Sequence, residues 1–120
     1  MVDAEKLISG RSFDIYAITV EGACPVLGYI DGLETSQQKK IMALLQHTAD
    51  QGPPRNTQKF KKLEDKIMEF KSFQDRILCA FDEARKIILI LGFTKKQDKA
   101  PREEIEKAKG LLKAYLDRRK

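Results

Sequence analysis

Cationic side chains are the residues of this sequence best suited to chemistry, and they occur in pairs beside apolar segments. Lys95 and Lys96 directly follow the stretch LILGFT at residues 89–94, and Lys71 and Arg76 flank a short polar segment. Lysine ammonium groups act as point charges on phosphate oxygens, whereas an arginine guanidinium can bind two such oxygens at once. The pattern therefore indicates an anion-binding surface, unless these charges are simply solvated by water.

Other kinds of site have little support in the sequence. His47 is the only histidine, and Cys24 and Cys79 lie far apart, so no cluster has the ligand spacing of a transition-metal site. No glycine-rich nucleotide-binding loop is present either. We therefore expect no metal and no cofactor, and any catalysis would use Lys, Arg, Asp, Glu or Tyr. The net charge of +5 permits a polyanionic partner without demanding one.

Length and composition indicate one soluble domain spanning residues 1–120. Hydrophobic residues make up 42% of the chain and charged residues 34%, which is typical of a globular protein. No apolar run approaches the roughly 18–20 residues that cross a bilayer, and the first residues lack the apolar core of a signal peptide. We expect a cytoplasmic protein with reduced cysteines and no membrane association.

The periodicity of the chain predicts an α+β fold. Strands are expected at residues 13–20 and 85–93, with a hairpin between them at 67–81. Helices are expected at 26–32, from Thr35 to a C-cap at Gly52, and from Pro101 onward. Residues 53–66 are expected to form a basic linker with a helical turn. This order predicts a small antiparallel sheet, a meander of three strands plus an N-terminal strand, with helices packed mainly on one face.

Strand register predicts where the cations lie. Pairing Phe70 with Ile77 through a loop at 72–75 sets Lys71 opposite Arg76 on the open face of the sheet. Facing like charges are mildly destabilising, so they either spread into water or hold an anion between them. For this pair alone water is the simpler explanation. The next strand, however, delivers Lys95 and Lys96 nearby, and the linker adds further lysines: Lys59, Lys61 and Lys62. A concentrated positive surface of this kind favours phosphate binding.

Four segments in the final half of the chain resemble the RelE/HigB-like toxins of type II toxin–antitoxin systems, in particular the phage-derived HigB-type branch. In order, they read KKLEDKIMEFK (61–71), DRILCAF (75–81), IILILGFTKKQDKAP (87–101) and EIEKAK (104–109). The GF-x-KK-x-x-x-x-P stretch is the most distinctive part. The first half agrees only in outline, so the resemblance is strongest where the cations are.

The resemblance implies a ribosome-dependent mRNA endonuclease that uses no metal. In such toxins the ribose 2′-OH attacks its own phosphodiester, and preorganised cations stabilise the charge that builds on the phosphoryl oxygens. By matching position, Lys71 and Arg76 would contact the phosphate, and Lys95 and Lys96 would hold the substrate backbone or neutralise the leaving oxygen. The general base would be Lys71, if Arg76 and Lys95 lower its pKa, or Glu69. The expected RNA-binding residues are Lys96, Lys59, Lys61 and Lys62.

The resemblance also implies a partner and leaves alternatives open. Related toxins pair with a helix-turn-helix antitoxin, so we expect such a protein together with mRNA on the ribosome as partners. Many relatives carry a histidine where this chain has Leu91, which removes one candidate general acid; Tyr115 is expected to pack against the sheet instead. A non-catalytic RNA- or protein-binding module of the same fold, or a phage accessory protein, is therefore the alternative function.

Overall fold

A computed structural model of the chain describes residues 1–96 and 101–119, so the motif positions 97–100 lie outside the described residues. Within the described part the chain forms six strands and three helices. In chain order they are β1 (Val2–Ser9), β2 (Asp14–Val20), α1 (Pro25–Asp31), α2 (Thr35–Gln51), β3 (Phe60–Glu64), β4 (Ile67–Ser72), β5 (Asp75–Asp82), β6 (Lys86–Thr94) and α3 (Arg102–Arg119). The predicted α+β class is confirmed.

All six strands form one sheet in the order β1-β2-β6-β5-β4-β3. Neighbouring strands are antiparallel except β2 and β6, which run parallel with Ile15 opposite Ile87. The predicted meander of β4, β5 and β6 is present, and β2 is the predicted N-terminal strand. It joins the meander at β6, which therefore lies at the centre of the sheet.

The two edge strands, β1 and β3, were not predicted. Residues 60–64, FKKLE, were expected to be linker with a helical turn, and residues 2–9 were given no element. Both segments are charged and mostly exposed, so neither shows the apolar alternation of a half-buried strand. Edge strands commonly carry such charges because these oppose pairing with other chains.

Helices cover both faces of the sheet. α1 and α2 pack on one face together with Phe70, Ile77 and Leu89, which we call the α1/α2 face. α3 packs on the other, the α3 face, over a second set of buried residues that includes Leu78, Ile88 and Ile90. Covering one face with α1 and α2 agrees with the prediction, whereas the position of α3 adds a second core. The continuous apolar run of β6 is explained by this double burial.

The helices begin and end close to the predicted positions. α2 begins at Thr35, as predicted, and is preceded by a capping box of Glu34 and Gln37, in which the Gln37 side chain accepts a hydrogen bond from the Glu34 N–H. Gly52 ends the helix with φ of 89°, as predicted. No helix in the described residues combines the length and apolarity needed to cross a membrane.

The hairpin of β4 and β5 positions the predicted site. Phe70 pairs with Ile77, and Lys71 pairs with Arg76, so the predicted register is confirmed. The ladder continues one pair further than expected, to Ser72 and Asp75. The connecting turn is therefore only Phe73 and Gln74, which we call the hairpin tip.

Gly92 is required where β6 passes beneath α1. A Cβ at this position would lie 2.3 Å from Cδ2 of the Tyr29 ring, which no real Cβ contact allows. We expect Gly92→Ala to lower the free energy of unfolding by about 1–3 kcal/mol because the ring must move. Urea denaturation measures the change. Gly110→Ala is the control, since a Cβ there meets no atom within 4 Å and alanine favours the helix; equal effects of both substitutions would contradict the prediction.

Candidate functional site

The ends of three strands meet at the hairpin tip. Nη1 of Arg76 donates hydrogen bonds to the Phe73 carbonyl oxygen at 2.6 Å and to the Asp75 carbonyl oxygen at 3.0 Å. The backbone N–H of Lys95 donates to the Gln74 carbonyl oxygen at 2.7 Å. The exit of β6 is therefore tied to the tip, and the predicted convergence of these three segments is present.

Lys71, Arg76 and Glu69 lie on the α3 face of the hairpin. Glu69 pairs in register with Leu78, and Lys71 with Arg76. Oε2 of Glu69 is 3.9 Å from Nε of Arg76, and the two residues are only 2% and 7% exposed. They therefore form a buried ion pair directly beside Lys71.

The burial of Arg76 corrects the prediction that both cations stand on an open face. Its guanidinium turns back to satisfy the carbonyl oxygens of the tip and to face Glu69. The Nε atom is buried and has no hydrogen-bond partner among the described residues. Its contact with Glu69 is therefore an ion pair without a hydrogen bond. Like-charge repulsion between Lys71 and Arg76 is thereby offset by a carboxylate from the same strand as Lys71.

The environment of Lys71 lowers its pKa. Partial burial is the main cause, because it disfavours the charged ammonium group, and the nearby charge of Lys61 is the next. Glu69 opposes this shift and Arg76 adds to it. Arg76 and Lys95 were the charges expected to lower this pKa, whereas in the structure Lys61 lowers it more than Arg76 does. A lowered pKa makes the neutral amine, which can accept a proton, more available.

The other lysines predicted to bind RNA lie in or next to β3, and they do not all share one face of the sheet. Lys61 pairs with Glu69 and so lies on the α3 face, whereas Lys62 pairs with Met68 on the α1/α2 face. Lys59 precedes β3, and its carbonyl oxygen accepts a hydrogen bond from the Lys71 N–H at 2.8 Å. The structure therefore brings Lys61 and Lys59 to the hairpin but separates Lys62 from them.

Lys95 and Lys96 follow the last residue of β6. Lys95 is half-buried and Lys96 is exposed. Phe93 pairs with Arg76 and Thr94 with Asp75, so the alternation of β6 continues Lys95 toward the side of Arg76. The adjacent cations that end this strand thus lie beside the tip, and their roles stay predictions.

A cluster of hydrogen-bonded polar side chains lies next to the tip on the α1/α2 face. The Tyr29 hydroxyl donates a hydrogen bond to Oδ1 of Asp75 at 2.7 Å and lies 2.9 Å from Oγ1 of Thr94. Nε2 of Gln37 donates to Oδ2 of the same carboxylate at 3.3 Å. Sequence reasoning missed this cluster, which joins α1, α2, β5 and β6. Its only signal was an aspartate that the register turns toward the helices.

Titration of Tyr29 is expected to destabilise the fold at high pH. Burial is the main cause that raises its pKa from 10.0 to about 12, and the neighbouring Asp75 charge adds to it. Since the folded state holds this proton more tightly than the unfolded chain, stability is intact below pH 10 and falls as pH rises toward 12. Urea denaturation across this range should show a steeper loss for the wild type than for Tyr29→Phe, which has no hydroxyl to titrate. Identical pH dependence would contradict this.

The structure also places five other residues singled out in the sequence, and it confirms the expectations for Tyr115 and for the two cysteines. Tyr115 is buried in the core between α3 and the sheet, and His47 is exposed on α2. Cys24 and Cys79 are free thiols. Leu91, the position at which the resemblance implied a histidine, is buried in the core of the α3 face, so no ionisable group is present there.

Comparison with known proteins identifies the family. Residues 28–113 match the family model described as Phage derived protein Gp49-like (DUF891). The match begins within α1, ends within α3 and includes the whole hairpin with its tip. No curated protein gives a significant match. Because the family match covers well over half of the chain, this protein belongs to the Gp49-like phage-derived family, a family of RelE/HigB-like toxins associated with type II toxin–antitoxin systems.

Proposed function

We propose that this protein is the toxin of a type II toxin–antitoxin system and that it cleaves mRNA on the ribosome. The observation that carries the proposal is the half-buried Lys71, whose pKa is lowered and which lies opposite Arg76 at the hairpin tip. A lysine that can be neutral can accept a proton, and the fixed guanidinium beside it supplies a positive charge close to a bound phosphodiester. Family membership supports the same reading.

In the proposed reaction the 2′-OH of a ribose attacks the adjacent phosphorus atom. Its proton passes to the neutral amine of Lys71, a bond forms between the 2′ oxygen and phosphorus, and the bond from phosphorus to the 5′ oxygen breaks. The products are a 2′,3′-cyclic phosphate and a 5′-OH, whose proton comes from water or the ribosome. Lys95 stabilises the negative charge on the leaving oxygen, and Arg76, which is only 7% exposed, stabilises that on the phosphoryl oxygens through its nearby positive charge.

Glu69 has a supporting part in this proposal. Because it is 2% exposed and paired with Arg76, it holds the guanidinium in place and does not meet the RNA. Of the two bases considered in the sequence, Lys71 is therefore the one we propose. Lys61 acts through its charge, which lowers the pKa of Lys71.

Primer extension of mRNA after pulsed expression tests the proposal. We expect discrete breaks within translated codons, and we expect them to disappear when translation initiation is blocked before induction. Co-expression of the antitoxin should suppress the breaks by binding the toxin. Intact mRNA in growth-arrested cells, or breaks that persist in untranslated regions, would contradict a ribosome-dependent nuclease.

A second function is favoured by one observation, the burial of apolar Leu91 where relatives have histidine. Without that ionisable group, the same fold could bind RNA on the ribosome and not cut it. Salt-sensitive binding to translating ribosomes with intact mRNA is the result that distinguishes this function from cleavage. The antitoxin would then act by displacing the bound protein.

A further inference from the structure

A groove lies beside the hairpin tip, on the side of the sheet that α2 covers. Its walls are α2, the segment 53–59 that leads to β3, and the tip itself, and they enclose about 680 Å³. This volume is within the range of roughly 300–1,000 Å³ that is typical of small-ligand sites. We call it the tip groove; neither the family match nor the proposed catalysis assigns a role to it.

Phe73 stands at the tip groove in an unusual setting. Its side chain is 68% exposed, although its backbone has φ of 55°. Positive φ in a tight turn is usually the place of Gly, Asn or Asp, and a bulky residue there costs about 1–2 kcal/mol. The turn thus holds a strained, exposed aromatic ring where a small polar residue would be more stable.

One lysine contacts this ring, and other basic residues line the groove around it. Nζ of Lys40, on α2, lies 4.1 Å from the centroid of the Phe73 ring. Lys59 and Lys71 also line the tip groove, as does His47. No acidic residue is among the described residues that line it. The groove therefore combines an exposed aromatic face with an uncompensated positive charge.

We propose that the tip groove binds single-stranded RNA, with Phe73 as a platform on which one nucleobase stacks. Aromatic side chains stack on any base, and lysines that follow the backbone supply salt-dependent affinity. Lys40 and Lys59 contact the phosphates on either side of that base. The inference rests on the proposed RNA substrate and names a subsite for it that no family motif contains.

The subsite lies next to the proposed chemistry. The Phe73 carbonyl oxygen accepts the 2.6 Å hydrogen bond from Nη1 of Arg76, and Lys71 is two residues away on the same strand end. RNA held on Phe73 would therefore pass over the hairpin tip to reach the ammonium group of Lys71, which lies on the α3 face. A protein partner fits less well, because a docking helix requires an apolar stripe, whereas this groove offers one ring among cations.

Substitution of Phe73 separates stacking from folding. Phe73→Asn removes the ring but suits the positive φ, so we expect unchanged or higher stability in urea. The probe is a single-stranded RNA with 2′-O-methyl groups at every ribose, which cannot be cleaved by 2′-O attack, and with 2-aminopurine as reporter. Wild type should bind it and quench its fluorescence by stacking. Phe73→Asn should bind about 5- to 150-fold more weakly without quenching, and Phe73→Tyr should retain both.

Salt dependence tests the lysine contacts. Lys40→Ala should reduce the slope of log affinity against log salt by about 0.7, as expected for one lost phosphate contact on a single strand. Lys107→Ala, an equal charge change on the exposed side of α3, should leave the slope unchanged. Equal slopes for Lys40→Ala and wild type would overturn the phosphate contact.

The outcomes distinguish this inference from the proposed cleavage. Binding and quenching that depend on Phe73, without breaks in cellular mRNA, would support the subsite and reject the nuclease. If Phe73→Asn cleaves translated codons as fast as wild type and binds RNA with unchanged affinity, the subsite is rejected and the nuclease is not. Weaker binding of an antitoxin by that variant would not change this conclusion. Failure of wild type to bind the probe, both free and on ribosomes programmed with it, would also overturn the inference.

Discussion

Replacing Lys71 by methionine is expected to slow mRNA cleavage by about 10²- to 10⁴-fold, the usual contribution of a general base. Methionine keeps the length of the aliphatic stem, and Lys71 is already partly buried, so the fold should tolerate the change. The rate should be measured in a purified translation system with excess toxin. Lys107→Met is the matched control, since it removes the same charge from an exposed position on α3.

The pH profile identifies the base. Cleavage by wild type should increase with pH through the lowered pKa of Lys71, because only the neutral amine accepts the proton. Lys61→Met removes a charge that lowers this pKa, so it should move the profile to higher pH. Lys71→Arg should be inactive across the range, since a guanidinium does not deprotonate. A fully active Lys71→Arg variant would show that position 71 needs only charge.

Replacing Arg76 by methionine is expected to lower the free energy of unfolding by about 3–5 kcal/mol, because it leaves Glu69 as a buried charge without its partner. The substitution also removes the two hydrogen bonds from Nη1 to the carbonyl oxygens of Phe73 and Asp75. Urea denaturation measures the change. A loss of toxicity in this variant would therefore not by itself establish a catalytic role for Arg76.

A double substitution separates these effects. Arg76→Met combined with Glu69→Met replaces the whole buried pair by apolar side chains, and such replacements are often neutral. We expect the double variant to recover most of the lost stability and to remain inactive if the charge of Arg76 is needed for cleavage. Lys113→Met, which breaks the exposed pair with Asp117, should cost at most about 1 kcal/mol. A double variant as unstable as Arg76→Met would contradict the ion-pair argument.

The register of the hairpin was predictable from the sequence because period-two alternation fixes which residues face the core. Aligning Phe70 with Ile77 was enough to set Lys71 against Arg76. The strands β2 and β6 and all three helices were likewise marked by apolar periodicity or by caps. These are local signals, and each depends on residues that are close together in the chain.

What the sequence did not reveal depends on tertiary contacts. Whether Arg76 points to water or to Glu69 is decided by how the side chain meets the tip carbonyl oxygens. The separation of Lys61 from Lys62 required the knowledge that residues 60–64 form a strand, and their charge concealed this. The placement of α3 on the second face follows from sheet order, which no local pattern encodes.

The candidate site was therefore found in part. The cations were identified by type and by resemblance, whereas the cluster of Tyr29, Asp75 and Thr94 and the groove at Phe73 were not. Tyr29 is distant in sequence from both of its partners. The sequence does contain one signal for Phe73, because a bulky aromatic residue is unusual in a two-residue turn. This signal could be recognised only once the length of the turn was known.

The parallel pairing of β2 with β6 also determines when the centre of the sheet can form. β2 emerges early in synthesis, but its partner lies beyond residue 85, so the centre of the sheet stays open until most of the polypeptide has left the exit tunnel. Such distant pairing also slows folding, because a long loop must close first. Under the proposed function, this delay would keep the unfinished chain from acting on the ribosome that makes it and would give the antitoxin an interval in which to bind it.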